Sequence, residues 1–451
     1  MFGPIENSDD QEEVLNRPVA FGPSQMKRFF RYVPKKDIRK LRIVFSLPSQ
    51  EKEYLRKSVR YLSHLIGHEG AGSIHQTLQT LGWSTSLTAG ELQQASDFFL
   101  FGITFSLTPL GEEKVNEIFQ IVFSYIQCLK ESGCPEWIYD ECHNINEVSF
   151  RFSHTKKPEG HVTSVTEAMK RGFGIEPKYF LKEDHLLEEY DQQDILSLLD
   201  CFRPENALVF FASKKFQGQT DLVEPWFGTS YSVVDVSEED IVCWKQDTEH
   251  KGALHLPGVN QFIPTRFEVL GTKAETPSLP AKIRDDEQCT IWYKLDDTFL
   301  QPKVCLFFQV RTPVVSESPL SVLLSQLYIQ MVQELLSEVT YDAYLSELDF
   351  QLDAPTDGVQ INIYGFYQSL EKMVEMILQK LLSFQIDQND TLMMGVFKKQ
   401  LDILLRKYEN YERSQAYEIA RWSYQGCTYK SPPIDERMKV FHCRYLSPLA
   451  S

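Results

Sequence analysis

Hydrophobic and polar positions change period several times along the chain, and each change marks an element. LRIVFSLP (41–48) is a run of bulky and β-branched apolar residues, the pattern of a strand. From Glu53 to about Leu81 the pattern is helical, broken by three glycines, Gly67, Gly70 and Gly72. WSTSLTAG (83–90) and DFFLFGITFSLT (97–108) flank a polar turn and predict paired strands. GEEKVNEIFQIVFSYIQCLKESG (111–133) predicts an amphipathic helix, with acids in its first turn and Gly133 past its end. A second helix is expected from Glu136 to about His154, ended by Lys157-Pro158, and NALVFFAS (206–213) reads as a closing strand.

The same order then returns. KVCLFFQVRTP (303–313) is strand-like, 318–348 is helical, and DFQLDAP (349–355) with GVQINIYGF (358–366) alternates like a hairpin. SLEKMVEMILQKLLSFQI (369–386) and the stretch from Asn389 to about Tyr411 read as two further helices. The offset between the copies is roughly 265 residues. The expected fold is therefore α+β, two homologous repeats, each an antiparallel sheet covered by helices on one face. Between them lies a Pro/Gly/aromatic segment whose Trp226, Phe227, Trp244, Phe262 and Phe267 are too many for a flexible linker, so it is expected to be an ordered connector. After Trp422 the helical pattern fades, and the chain ends on SPLAS.

Composition narrows the class. A length of 451 residues implies more than one domain, and 42% hydrophobic with 24% charged residues is a globular balance. The net charge of −17 argues against nucleic acid or an anionic membrane as the main partner and is compatible with basic peptides. Nine scattered cysteines without C-x-x-C suit a reducing compartment. The acidic N-terminus is neither a signal nor a transit peptide, and no apolar run reaches the about 18 residues of a membrane span. The chain is expected to be cytoplasmic.

Candidate chemistry gathers in HLIGHEGAGSIH (64–75). His64 and His68 have the spacing of the H-x-x-E-H zinc protease motif, but Gly67 stands where the glutamate that deprotonates zinc-bound water belongs. His75 would share a helical face with them only if the glycines allowed a continuous helix. Two readings of the segment stay open on its residues alone. It is either a helix-to-helix turn with a solvated Glu69, or a place where glycine lets a peptide approach the backbone and a carboxylate meets an α-amino group. Neither a phosphate loop nor a G-x-S-x-G nucleophile elbow is present.

VPKKDIRKLRIVFSLP, YLSHLIGHEGAGSIHQTLQTLGW, RPENALVFFASKKFQG and FIPTRFEVL, in that order, resemble the insulinase/pitrilysin family of zinc peptidases over about 26–422. The family builds four homologous α+β domains into two halves, and the resemblance is to the second and third. It implies a lead-in at 1–33, a non-catalytic repeat at 34–214, an inter-half linker at 215–285, and a third, incomplete repeat at 286–451. It implies no cofactor for this chain, since the family's zinc sits in the first domain. The family's third zinc ligand falls on or near Arg151, so His64 and His68 are the remnant of a site.

In the family this part of the second domain anchors the substrate's N-terminus, and the following edge strand pairs with the substrate backbone. Carried over, His64, Gly67 and Glu69 fall in the anchoring segment and Leu87, Thr88 and Ala89 on the edge strand. Ser63 and Ala89 replace family glycines, and Arg60 replaces a histidine. Lys157 keeps one charge of a family anion-binding pair, while Glu159 reverses the other. The implied partners are peptides with a free N-terminus, and full-length family members or a second copy of the chain. Three functions follow as expectations: a non-catalytic peptide-binding part, a fragment of an active zinc endopeptidase, or an interaction protein pairing with full-length relatives.

Overall fold

The structure, a computed structural model, describes residues 20–22, 24–154, 156–170, 174–269, 279–387, 389–428 and 432–441. Most of the expected lead-in and the terminal SPLAS lie outside the described residues. The first part of the chain forms β1 (Arg28–Tyr32), β2 (Lys40–Leu47), α1 (Ser58–Ile66), α2 (Ile74–Thr80), β3 (Ser84–Gln94) and β4 (Phe99–Leu107). Next come α3 (Pro109–Glu113), α4 (Val115–Ser132), α5 (Glu136–Arg151), α6 (Pro158–Lys170), α7 (Gln192–Leu199) and β5 (Ala207–Ala212). The middle segment adds β6 (Leu222–Val223), β7 (Ser230–Asp235) and α8 (Glu238–Trp244). The last part forms β8 (Ala281–Asp285), β9 (Thr290–Tyr293), β10 (Lys303–Arg311), α9 (Pro319–Leu345), β11 (Asp349–Asp353) and β12 (Gly358–Phe366). It ends with α10 (Leu370–Ser383), α11 (Thr391–Glu409), α12 (Ala416–Thr428) and α13 (Ile434–Phe441).

Seven strands form the first sheet, in the order β3-β4-β2-β5-β1-β7-β6. It is mixed, which corrects the expected antiparallel sheet: β1 runs parallel to β5, with Phe29 opposite Val209. The turn after β1 reverses the chain, yet β5 lies between β1 and β2 and is antiparallel to β2, so β1 and β5 point the same way. The sheet also draws in strands from outside 34–214. β1 comes from the lead-in, and β7 from the connector pairs with it, Phe30 opposite Val233. These strands satisfy backbone donors and acceptors that the connector would otherwise leave to water.

Alternation along the strands divides the sheet's two faces. Leu41, Ile43 and Phe45 of β2 and Phe101, Ile103 and Phe105 of β4 face the main core, where Tyr61, Leu62 and Leu65 of α1 and Ile118 and Val122 of α4 cover them. Val44 and Leu100 point the other way, into a small cluster with Met26 and Leu208 that contains no helical residue. The helices thus gather on one face. In the last part, β10-β12-β11 form a separate antiparallel sheet, and β8 pairs with β9.

Helix persists beyond Trp422, where the sequence pattern fades. Residues of α13 reach its order by packing, since Ile434 and Met438 lie against a cluster of α9 and α11 that includes Leu323, Leu327 and Leu404. Asn260, in the connector, ties the two parts together. Its backbone N–H donates to Glu141 Oε1 of α5 at 3.0 Å, and its Nδ2 donates to the Asp342 carbonyl of α9 at 2.9 Å. Among the described residues no helix is long and apolar enough to cross a membrane. The eight described cysteines are free thiols.

Candidate functional site

The helical stretch expected over 53–81 divides into α1 and α2, and the division creates the candidate site. α1 buries Tyr61, Leu62, Leu65 and Ile66 along one stripe and stops at Gly67. A Cβ on Gly67 would stand 2.7 Å from the Ser63 carbonyl of α1's last turn and in ordinary contact, 3.5 Å, with Ala89 Cβ of β3, so glycine suits the close of the helix at this point. Gly72 has φ +79°, and the His255 ring of the connector closes over it. Ser73 then starts α2, its Oγ accepting from the Gln76 N–H at 3.1 Å.

β3 is the outermost strand on its side of the sheet, and its outer edge has no strand partner among the described residues. Leu87 is buried against the core, Thr88 is exposed and Ala89 is half-buried beside Gly67. An edge of this kind offers unpaired backbone groups to another strand.

The three histidines do not converge on a metal. His68 lies past the end of α1, and the Gly70 N–H donates to its Nδ1 at 3.0 Å. The proton therefore sits on Nε2, which faces Asp342 Oδ1 at 3.8 Å. The His64 and His68 rings meet edge-on, centroids 5.6 Å apart. His75 is buried on α2 with both ring nitrogens unpartnered and Nδ1 4.0 Å from Glu69 Oε2. Burial pulls His64 and His75 down to about 4, and burial with the neighbouring His64 pulls His68 down to about 3.

The fourth part of the motif is missing as well. Arg151, at the end of α5, lies over the rings of Phe152 and Phe267, 5.1 and 4.9 Å from their centroids, and supplies no ligand. With His68 Nδ1 taken by the Gly70 N–H, no base at Gly67 and a guanidinium at the third position, these residues do not fit the family's zinc.

Glu69 is half-buried, and burial raises its pKa above the ordinary carboxylate value. His75, held neutral, is its one partner in an ion-pair geometry among the described residues. From the far half, Tyr341 of α9 donates its OH to the Gly67 carbonyl at 3.5 Å and sets its ring against His68, centroids 4.7 Å apart. Burial, and after it the Glu69 charge, pushes the Tyr341 pKa up. Burial also raises Asp342 and Glu141. Three carboxylates disfavoured by desolvation thus lie around one junction. Tyr341 and Asp342 are invisible to a reading of local sequence, because the Tyr341 contact spans 274 positions.

Two other charged groups are placed without forming a site. Lys157 is exposed just before α6, and exposed Glu159 follows in its first turn. Nearby Lys156 lies 3.8 Å from Asp184. Among the described residues one cluster has metal-ligating side chains in reach of each other: His143, Glu147 and Glu188. The Lys182 ammonium already pairs with both carboxylates, at 2.6 Å from Glu188.

Comparison with known proteins accounts for this degenerate geometry. A family model described as "Peptidase M16 inactive domain" matches residues 1–146, and one described as "Middle or third domain of peptidase M16" matches residues 150–438. Human (Homo sapiens) insulin-degrading enzyme is 33% identical over 427 residues, covering 94% of this chain and 40% of that protein. A nardilysin-like protein of Arabidopsis thaliana is 30% identical over 393 residues, covering 85% of this chain and 38% of its own length. In fold, the crystal structure of pitrilysin matches with a TM-score of 0.66 at 20% identity, over 95% of this chain and 44% of that one. The chain spans about 40% of the length of the insulin-degrading enzyme it matches. On these grounds it belongs to the M16 peptidase family, in the inactive and middle domains of that architecture.

Proposed function

We propose that this chain is a peptide-binding, non-catalytic portion of an M16 peptidase. In this reading the segment His64–Gly67–Glu69 receives the free N-terminus of a peptide, and the edge of β3 at Leu87, Thr88 and Ala89 takes the first residues as an added strand. The observation that carries it is Glu69, a half-buried carboxylate with no cation partner among the described residues. An α-ammonium group would restore the lost stabilisation with a charge-assisted hydrogen bond.

The duplicated order supports the architectural side of the reading. β2, α1–α2, β3, β4, α4, α5 in the first part is answered by β10, α9, β11, β12, α10, α11 in the last. We read these as two repeats, 34–214 and 286 onward, joined by the connector. Zinc chemistry would belong to another domain of a full-length enzyme, and the chain alone is expected not to cleave peptides.

The test is fluorescence anisotropy with one C-terminally labelled peptide carrying a free or an acetylated N-terminus. The wild-type chain should prefer the free form by about tenfold, the scale of one charge-assisted hydrogen bond. Glu69→Gln should bind both forms alike. Equal losses for both forms in the variant would remove Glu69 from the anchoring role.

A further inference from the structure

The start of α1 and the residues leading into it line a second feature, a cavity of about 480 Å³ open to solvent between α1, the far end of β3 and the loop at 183–184. That volume lies within the range of small-ligand sites. Its wall carries five carboxylates, Glu51, Glu53, Glu91, Glu183 and Asp184, against two cations, Lys57 and Arg60. Both cations are already engaged by the wall itself. Lys57 Nζ donates to the Glu183 carbonyl at 2.5 Å and lies 3.4 Å from its carboxylate, and Arg60 donates to the Asp184 carbonyl. Glu53 is 3.3 Å from Arg56, while Glu51 and Glu91 take part in no ion pair among the described residues.

A second observation points the same way. Gln50, also on the wall, donates Nε2 to the Pro48 carbonyl at 3.1 Å, but its Oε1 is buried and accepts no hydrogen bond. A buried acceptor without a donor costs stability unless something in the cavity supplies one. The cavity is therefore short of positive charge and short of an N–H donor. Guanidinium and ammonium groups supply both.

Its position adds to this. Ser63 and Glu91 line the cavity, and Ser63 Oγ lies 3.5 Å from the place a Cβ would occupy on Gly90, so the cavity borders β3. Glu91 shares with Leu87 and Ala89 the side of the strand that faces α1.

We infer that this cavity is a subsite for the arginine or lysine side chain of an extended peptide laid along β3. The inference rests on the reading of β3 as a peptide-pairing edge, but not on Glu69 as its anchor. It makes the chain selective for basic residues within the bound segment.

Four peptides test it on the full chain by anisotropy. One extended sequence carries either arginine or its neutral isostere citrulline, each with a free or an acetylated N-terminus. Arginine should bind about tenfold tighter than citrulline in both N-terminal forms, the scale of a hydrogen bond between charged partners. Glu51→Gln with Glu91→Gln should abolish that ratio. Glu371→Gln with Glu375→Gln, exposed acids on α10 and remote in the fold, should leave the ratio intact. A wild-type ratio below twofold, or no binding of the arginine peptides up to millimolar concentration, would overturn the inference. So would loss of the ratio in the α10 variant, which would make it a property of the overall negative field. If acetylation has no effect while the arginine ratio survives, the anchor reading falls and the subsite stands.

Discussion

Glu334 and Glu69 are two carboxylates that the fold treats differently. Glu334 of α9 and Lys399 of α11 form an ion pair with side chains 6% and 5% exposed, and Gln400 adds a hydrogen bond to the carboxylate. Lys399 is near enough to help depress His75. Glu69, 4.0 Å from His75 and with a side chain 37% exposed, has no cation partner among the described residues, and its partial burial raises its pKa. Where the fold needs a buried carboxylate between helices, it supplies the counter-charge itself. At Glu69 it supplies none among the described residues, which is what the proposed anchoring of an ammonium group requires.

The largest consequence falls on the completed pair. Lys399→Met strands a buried carboxylate and should destabilise the chain by about 3–5 kcal/mol in urea unfolding. A loss under about 1 kcal/mol would mean that water reaches Glu334, and the contrast with Glu69 would dissolve.

The histidines give the next effect. Their folded pKa values, about 4 for His64 and His75 and about 3 for His68, lie below the ordinary value near 6.5. The unfolded chain therefore binds protons first as the pH falls. Stability from this source is full above about 6.5 and is lost progressively down to about 4. The raised Glu69, Glu141 and Asp342 work in the opposite sense, taking up protons in the folded chain and blunting the lower end. Thermal midpoints should drop between pH 6.5 and 4, and His68→Gln should flatten the slope. A slope unchanged by that substitution would contradict the buried neutral state of His68.

Smaller effects follow at the contact itself. Gly67→Ala pushes a methyl against the Ser63 carbonyl at 2.7 Å and should cost about 1–3 kcal/mol. Glu69→Gln should be the mildest, within about 0.5 kcal/mol of wild type, because it removes a charge that the fold does not use. A large destabilisation by Glu69→Gln would show that the carboxylate serves the junction with α9 instead of a ligand.

How far the sequence foretells this depends on the range of the forces involved. β2 and β4 were legible because Leu41, Ile43, Phe45 and Phe101, Ile103, Phe105 declare a buried face locally. The break between α1 and α2 was signalled by Gly67, Gly70 and Gly72, and the start of α2 by Ser73. β1 and β7 were not legible. RFFRY and SYSVVD become strands only because distant chain pairs with them. α13 likewise follows from packing on α9 and α11.

At the candidate site, the sequence singles out Glu69 and the strand that lies at the sheet edge, whose proposed role the peptide tests address, but it does not reach Tyr341, Asp342 or Gln50. Those roles exist only in three dimensions. The histidines keep the spacing of a metal motif, but in the fold His68 Nδ1 accepts from Gly70 and its Nε2 faces Asp342.

The central claim is that Glu69 waits for a cation, and proton linkage tests it most directly. At pH 5, calorimetric titration of a free-amine peptide in two buffers of different ionisation enthalpy should reveal proton release, because the arriving ammonium lowers the raised pKa of Glu69. The acetylated peptide, and Glu69→Gln with either peptide, should release none. Equal proton release by free and acetylated peptides, or none from the wild-type chain with either, would contradict the account.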